Sequence, residues 1–166
     1  LEKKDLEKIF IKKVTESQGI IHKVCRIYCD DDEHRKDLVQ EILIQLWKSY
    51  PSFRGESKFS SWMYRVALNV AVQDFRKVKK QKLIFFQTNE FKENLEQNDT
   101  SFEDEKLKQM HDAIANLDKV EKAIIMLFLE SKSNQEIAEI VGITQNHVRV
   151  KMNRIKIKLA KKVNNS

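Results

Sequence analysis

The side chains best suited to chemistry in this chain are hydrogen-bond donors: Gln145, Asn146, Arg149 and Arg154, held within ten positions near the C-terminal end. Amides and guanidinium groups can read base edges in a wide groove, and cations can hold phosphates. Val148, Met152, Ile155 and Leu159 run through the same stretch in steps of four, three and four. That spacing puts the apolar residues on one face of a helix. Gln145, Asn146, Arg149 and Arg154 then project away from the core.

A helix of this kind must be aimed by a neighbour, and the preceding residues supply one. Ser133 with Glu136 forms a capping-box pattern that satisfies free N–H groups at a helix start. Ile137, Ala138, Ile140 and Val141 give that helix an apolar face, Gly142 can end it in a left-handed conformation, and Thr144 can cap the next. The arrangement is a helix-turn-helix with a basic second helix, which makes duplex DNA the first partner to consider.

A second group of residues mixes cations with rings. Arg65, Arg76, Lys77, Lys79, Lys80 and Lys82 lie along or just beyond an expected helix over 58–79. Phe53, Phe59, Trp62, Tyr64 and Phe75 fall among them. Such a surface can hold single-stranded nucleic acid by phosphate attraction and base stacking. Phe59, Trp62, Met63, Val66 and Val70 also form an apolar stripe, so Trp62 is expected in the core. Phe53 and Tyr64 flank or leave that stripe and suit either role. Asn69 lies off the stripe, where it could read a base edge. Pro51 and Gly55 frame a loop over 50–57 that leads into this helix.

The third group lies on an expected helix over 33–49, started by the acidic turn Asp30 to Asp32. Leu38, Ile42 and Leu46 face inward, with Val39 and Leu43 as further inward candidates. Asp37, Gln40, Glu41, Gln45 and Trp47 form an acidic, polar and aromatic outer face. A solvated surface explains most such residues, but an outward Trp is the kind of residue that anchors protein interfaces.

Composition narrows the choices. Three Gly, one Pro and no sustained strand-like alternation in 166 residues favour an all-helical chain. The net charge of +6 suits a polyanionic partner without proving one. No apolar run approaches the roughly 20 residues needed to cross a bilayer, and no secretory signal pattern opens the chain. Cys25 and Cys29 sit one helical turn apart, with His22 and His34 nearby. Their spacing matches no common zinc pattern, so two reduced, partly buried thiols are expected. Phosphate loops, HExxH, GxSxG and clustered His–carboxylate patterns are all missing from the sequence, so no catalysis, metal or cofactor is expected.

Along the chain, apolar periodicity predicts a helix or broken pair over 4–29, then the helices over 33–49 and 58–79. Between 87 and 105 acidic and amide residues dominate and the periodicity lapses, which reads as a flexible tether. Helical spacing returns at Leu107, and Asp118 with Glu121 makes a second capping box for a helix through 130. A frayed basic tail is expected over 161–166. The expected layout is all-α: a domain over 1–85, an acidic linker over 86–105 and a domain over 106–166.

These residues together resemble a known family. The blocks Asp37 to Trp47 (DLVQEILIQLW), Phe53 to Asn69 (FRGESKFSSWMYRVALN) and Asp74 to Arg76, followed by the helix-turn-helix, are similar to extracytoplasmic-function (ECF) sigma factors. These are the small two-domain members of the sigma-70 family of bacterial transcription initiation factors. The resemblance implies a sigma-2 domain whose 37–48 helix docks on the clamp of core RNA polymerase through Asp37, Gln40, Glu41, Gln45 and Trp47. It implies that the 53–58 loop, with Phe53, Arg54 and Ser57, and the helix through Tyr64 and Asn69 capture an unstacked base of the −10 element. Arg65, Arg76 and Lys80 would hold phosphates of the opened strand. A sigma-4 domain would read the −35 duplex with Thr144, Gln145, Asn146, Arg149, Val150, Lys151 and Arg154. The acidic tether would thread the cationic channel that later holds RNA. The implied setting is the bacterial cytoplasm. The implied partners are core polymerase, promoter DNA and an anti-sigma factor, with a monomer when free. Departures are Leu117-Asp118 where relatives carry Leu-Pro, and Val150 and Met152 where a small polar residue and Leu are common. Two rivals stand beside this reading: a helical protein-interaction module, and a duplex-only repressor that leaves the 37–80 block idle.

Overall fold

The computed structural model describes residues 2–88 and 102–164. Among the described residues, eight α-helices and one 3-10 turn make up the regular structure, with no strand. The chain divides into two compact units, Leu1–Phe75 and Arg76–Ser166.

The first unit begins with α1 (Lys3–Glu16) and α2 (Gln18–Tyr28), a pair broken at Ser17. Asp31 starts α3 (Asp32–Ser49) by accepting a 2.6 Å bond from the His34 backbone N–H, as the acidic turn predicts. Arg35 closes the other side of this junction by donating from Nε and its guanidinium to the Cys29 carbonyl, which caps the end of α2. A 3-10 turn over Tyr50–Ser52 then leads to α4 (Phe59–Thr88). Ile21, Val24, Leu38, Ile42, Leu46, Met63, Ala67 and Ala71 are buried in the core. Near its start α4 is enclosed on more than one side: Ser61, Trp62, Met63 and Tyr64 are all buried in succession. His34 Nε2 lies 2.8 Å from Asp74 Oδ2, tying α3 to α4.

The helix expected to end near 79 continues to Thr88. No Pro or Gly lies between 56 and 141 to stop it. The division between units falls inside this helix, whereas the sequence reading ends the first domain at 85. The expected linker over 86–105 is therefore helical at both ends, since α5 (Phe102–Ala115) begins before it closes. The remainder of that linker, 89–101, lies outside the described residues.

In the second unit, α6 (Lys119–Leu129) is the central element, with Glu121 to Leu127 buried without interruption. Both expected capping boxes form. The Asp118 carboxylate accepts from the N–H groups of Val120 and Glu121, and the Glu121 carboxylate accepts from the Asp118 N–H. Ser133 and Glu136 repeat the exchange at α7 (Asn134–Val141). Each box is worth about 1 kcal/mol. Gly142, at φ 80°, ends α7 in the left-handed conformation expected of it. Thr144 Oγ1 then accepts from the His147 N–H to start α8 (Gln145–Asn164). The basic tail expected to fray from 161 is helical through Asn164. A run of Lys, Ala, Val and Asn contains nothing that breaks a helix. α8 packs against α5, α6 and α7.

Candidate functional site

The helix-turn-helix surface follows from how α8 is anchored. Val148, Met152 and Ile155 are buried against the rest of the unit. Each residue advances the helix by about 100°, so the side opposite these three carries Asn146, Val150, Asn153 and Ile157. All four are exposed. Arg149 and Arg154, also exposed, flank this strip on opposite sides. The result is a row of short side chains bordered by two cations, a shape that suits a groove floor between phosphate walls. Gln145 is exposed at the first turn. Thr144 is exposed as well, although its hydroxyl oxygen already serves the cap.

Lys151 departs from expectation. It is half-buried and sits on the flank nearest the packed face, not on the outward strip. Asn153 and Ile157 share the strip and were not among the sequence candidates. Asn153 lies three residues after Val150, a spacing that could have identified it. Lys158, not among the sequence candidates, reaches the buried Glu121 carboxylate at 2.5 Å and fixes α8 to α6. Lys156 Nζ lies 5.5 Å from the Phe128 ring centroid, a second tie between the same helices.

In the first unit the 53–58 loop rests on rings. Phe53 and Tyr50 are stacked with centroids 6.4 Å apart, Phe53 and Trp62 lie 5.1 Å apart, and Phe59 meets Phe53 edge-on at 5.7 Å. Phe53 is only half-buried by these contacts, so part of its ring stays open. Gly55, at φ 74°, turns the loop beyond it. Arg54 is exposed and Ser57 half-buried on the same loop. On α4, Arg65, Asn69 and Arg76 are exposed. The Lys80 side chain lies outside the described residues.

Tyr64 requires a correction. At 3% exposure it belongs to the core and presents no stacking face. It precedes the exposed Arg65 but points into the enclosed side of α4. Trp62 is buried as expected. One cation near the loop was not anticipated: Lys13 of α1 has its Nζ 5.3 Å from the Phe59 centroid, within cation–π range.

The outer face of α3 carries Asp37, Gln40, Glu41 and Gln45, all exposed. Trp47 is 36% exposed, because one edge packs against Phe10. Leu43, a candidate for the inside, lies on the margin at the same exposure. Ile44 was overlooked by the sequence reading. It is 54% exposed in the middle of this otherwise polar face. An isoleucine among carboxylates and amides is the signal that could have found it.

Cys25 and Cys29 are free and buried. Burial pushes the Cys25 thiol from 9.0 up to about 12, and the neighbouring Cys29 adds to the rise. Burial raises Cys29 too, while a backbone hydrogen bond from Asp31 opposes the rise. Neither is a poised nucleophile. Among the described residues, no cluster of three or more His, Cys, Asp or Glu side chains could hold a metal ion. No described helix is long and apolar enough to cross a membrane.

Two family models match along the chain. Residues 14–81 match the model for Sigma-70 region 2, and residues 107–159 match Sigma-70, region 4. The chain belongs to the sigma-70 family, in its extracytoplasmic-function group. It is 26% identical over 153 residues to RNA polymerase sigma factor SigV of Bacillus subtilis, covering 92% of this chain and 89% of that one. ECF RNA polymerase sigma factor SigX of the same organism is 25% identical over 131 residues, covering 75% of this chain and 68% of that one. The sigma factor RpoE of Bartonella quintana, solved in complex with the anti-sigma factor NepR, shares the fold. Its TM-score is 0.72 at 18% identity, covering 95% of this chain and 98% of that one.

Proposed function

We propose that this chain directs core RNA polymerase to specific promoters and leaves the chemistry of RNA synthesis to that enzyme. The observation that carries the reading is the outward strip of α8 with its two flanking arginines. The aromatic-backed 53–58 loop adds a second, separate surface.

In this mechanism the first unit and the α4 extension act as sigma-2, and the second unit from α5 onward acts as sigma-4. Core polymerase docks on the outer face of α3, through Asp37, Gln40, Glu41, Gln45, Ile44 and the exposed edge of Trp47. Polar groups there set the register, and the two apolar side chains supply buried area. Loop 53–58 and α4 capture a base from the −10 element: Phe53 offers a ring face, Asn69 an amide, and Arg54, Arg65, Arg76 and Lys80 attract the strand. Extruding a base costs a few kcal/mol, which stacking and polar contacts in a fitted site offset. Arg149 and Arg154 hold phosphates across the −35 major groove while Asn146 and Val150 face the bases. Two modest sites on one chain gain from effective concentration once both can engage.

The acidic segment near 86–105 suits the cationic channel that later holds RNA. Relatives that act on polymerase work in the bacterial cytoplasm, and the same setting is proposed for this chain. An anti-sigma factor is a further proposed partner, supported by the likeness to RpoE in its complex with NepR.

Reconstitution with core polymerase, followed by sequencing of transcript starts, tests the reading. New starts preceded by shared −10 and −35 sequences are expected. Start sites identical to those of core polymerase alone would refute it. Asn69→Ala is expected to spare polymerase binding and slow strand opening.

A further inference from the structure

We infer that Asn153 determines promoter specificity, its carboxamide reading an adenine edge in the duplex that α8 enters. The inference rests on the major-groove assignment of α8 made above and deepens it by naming a base.

Asn153 occupies the line opposite Val148, Met152 and Ile155, in register with Asn146 and Val150. Side chains about three residues apart on a groove-bound helix reach successive base pairs. Asn153 therefore faces the pair next to the one beneath Val150. No hydrogen bond to another described residue occupies its amide. Asn116 provides the contrast: its amide donates to the Asp112 carbonyl at 2.7 Å and finishes a helix. Asn153 lies in mid-helix, caps nothing, and belongs to a weak helix-forming type. Its free amide offers one donor and one acceptor side by side, the pair that matches adenine N7 and N6. The flanking guanidinium groups of Arg149 and Arg154 are placed to hold the phosphates on either side, which would fix the depth at which this amide meets the groove floor.

The test uses holoenzyme assembled with wild type, Asn153→Ala or Asn153→Asp and a promoter library randomised across the −35 element. Wild type should select adenine at one pair. Asn153→Ala should lose that selection by roughly ten-fold at the same pair while keeping the preferences elsewhere. Asn153→Asp should turn the preference toward cytosine, whose N4 amino group donates to a carboxylate. Thermal unfolding of both variants should match wild type, since the side chain is solvent-facing. A profile unchanged in Asn153→Ala, or a loss spread evenly over all pairs, would overturn the inference and leave the promoter reading standing. If wild type selects no −35 sequence at all, the groove assignment itself falls and this inference with it.

Discussion

The ring of Phe10 meets the ring of Trp47 edge-on, with centroids 5.0 Å apart and planes inclined by 60°. Phe10 touches Tyr50 at the same centroid distance, and Tyr50 in turn lies against Phe53 and Trp62. One residue of α1 thus supports both the outer edge of α3 and the base of the 53–58 loop. Phe10→Ala is expected to cost the protein about 3 kcal/mol or more, the usual scale for removing a buried ring. Urea unfolding followed by Trp fluorescence measures this. A loss below about 1 kcal/mol would mean that the rings are not packed as described.

The Glu121 carboxylate is buried and receives both the Asp118 N–H and the Lys158 ammonium. Its partner Lys158 is about half exposed. Removing Lys158 strands a buried charge, whereas neutralising Glu121 leaves an ammonium that water can reach. Lys158→Met should therefore destabilise by about 1–3 kcal/mol, and Glu121→Gln by less, because Gln still accepts the capping bond. Equal costs in chemical denaturation would contradict this asymmetry.

The raised Cys25 thiol gives a dependence on alkaline pH. Between 9.0 and about 12 the unfolded chain releases this proton while the folded chain keeps it. The unfolded state then binds fewer protons, so stability falls as pH rises through that window, by up to about 1.4 kcal/mol per pH unit. Cys25→Ala removes this contribution. Its stability deficit relative to wild type should shrink above pH 9 in urea titrations. Parallel curves for the two proteins would show that burial does not hold the thiol protonated.

Gly142 and Gly19 should respond in opposite senses to the same substitution. A Cβ at either position meets no atom within 4 Å, so steric clash plays no part. Gly142 sits at φ 80°, where Ala costs about 1 kcal/mol or more. Gly19 lies within α2, where Ala is favoured by roughly 0.5–1 kcal/mol. Differential scanning calorimetry should show a lower transition for Gly142→Ala and a higher one for Gly19→Ala. The same sign for both would count against the backbone assignments.

The features legible in the sequence were those encoded within a few residues. Both capping boxes, the Gly142 terminator, the Thr144 start and the Asp31 cap depend on spacings of two to four residues, and each formed. The buried face of α8 was readable for the same reason. The length of α4 was not, because stopping a helix needs a stop signal and the chain has none there. Tyr64 was misjudged because a single apolar stripe assumes a helix packed on one side, and α4 is enclosed on several. Lys151 entered through the family resemblance and not through its angular position, which sets it on the flank nearest the packed face. Ile44 and Lys13 depended on tertiary context: an apolar residue left in the open, and a cation brought over a ring from another helix.

Lys156 and Lys158 clamp α8 well beyond the turns that face outward at Arg149 and Val150. Because the rod between clamp and tip is unbroken, one added residue there would swing the tip by about 100° and present a blank flank instead of the strip. Under the proposed promoter reading, new target sequences would be reached by exchanging side chains in place, while changes in segment length between clamp and tip would turn the strip away from the duplex.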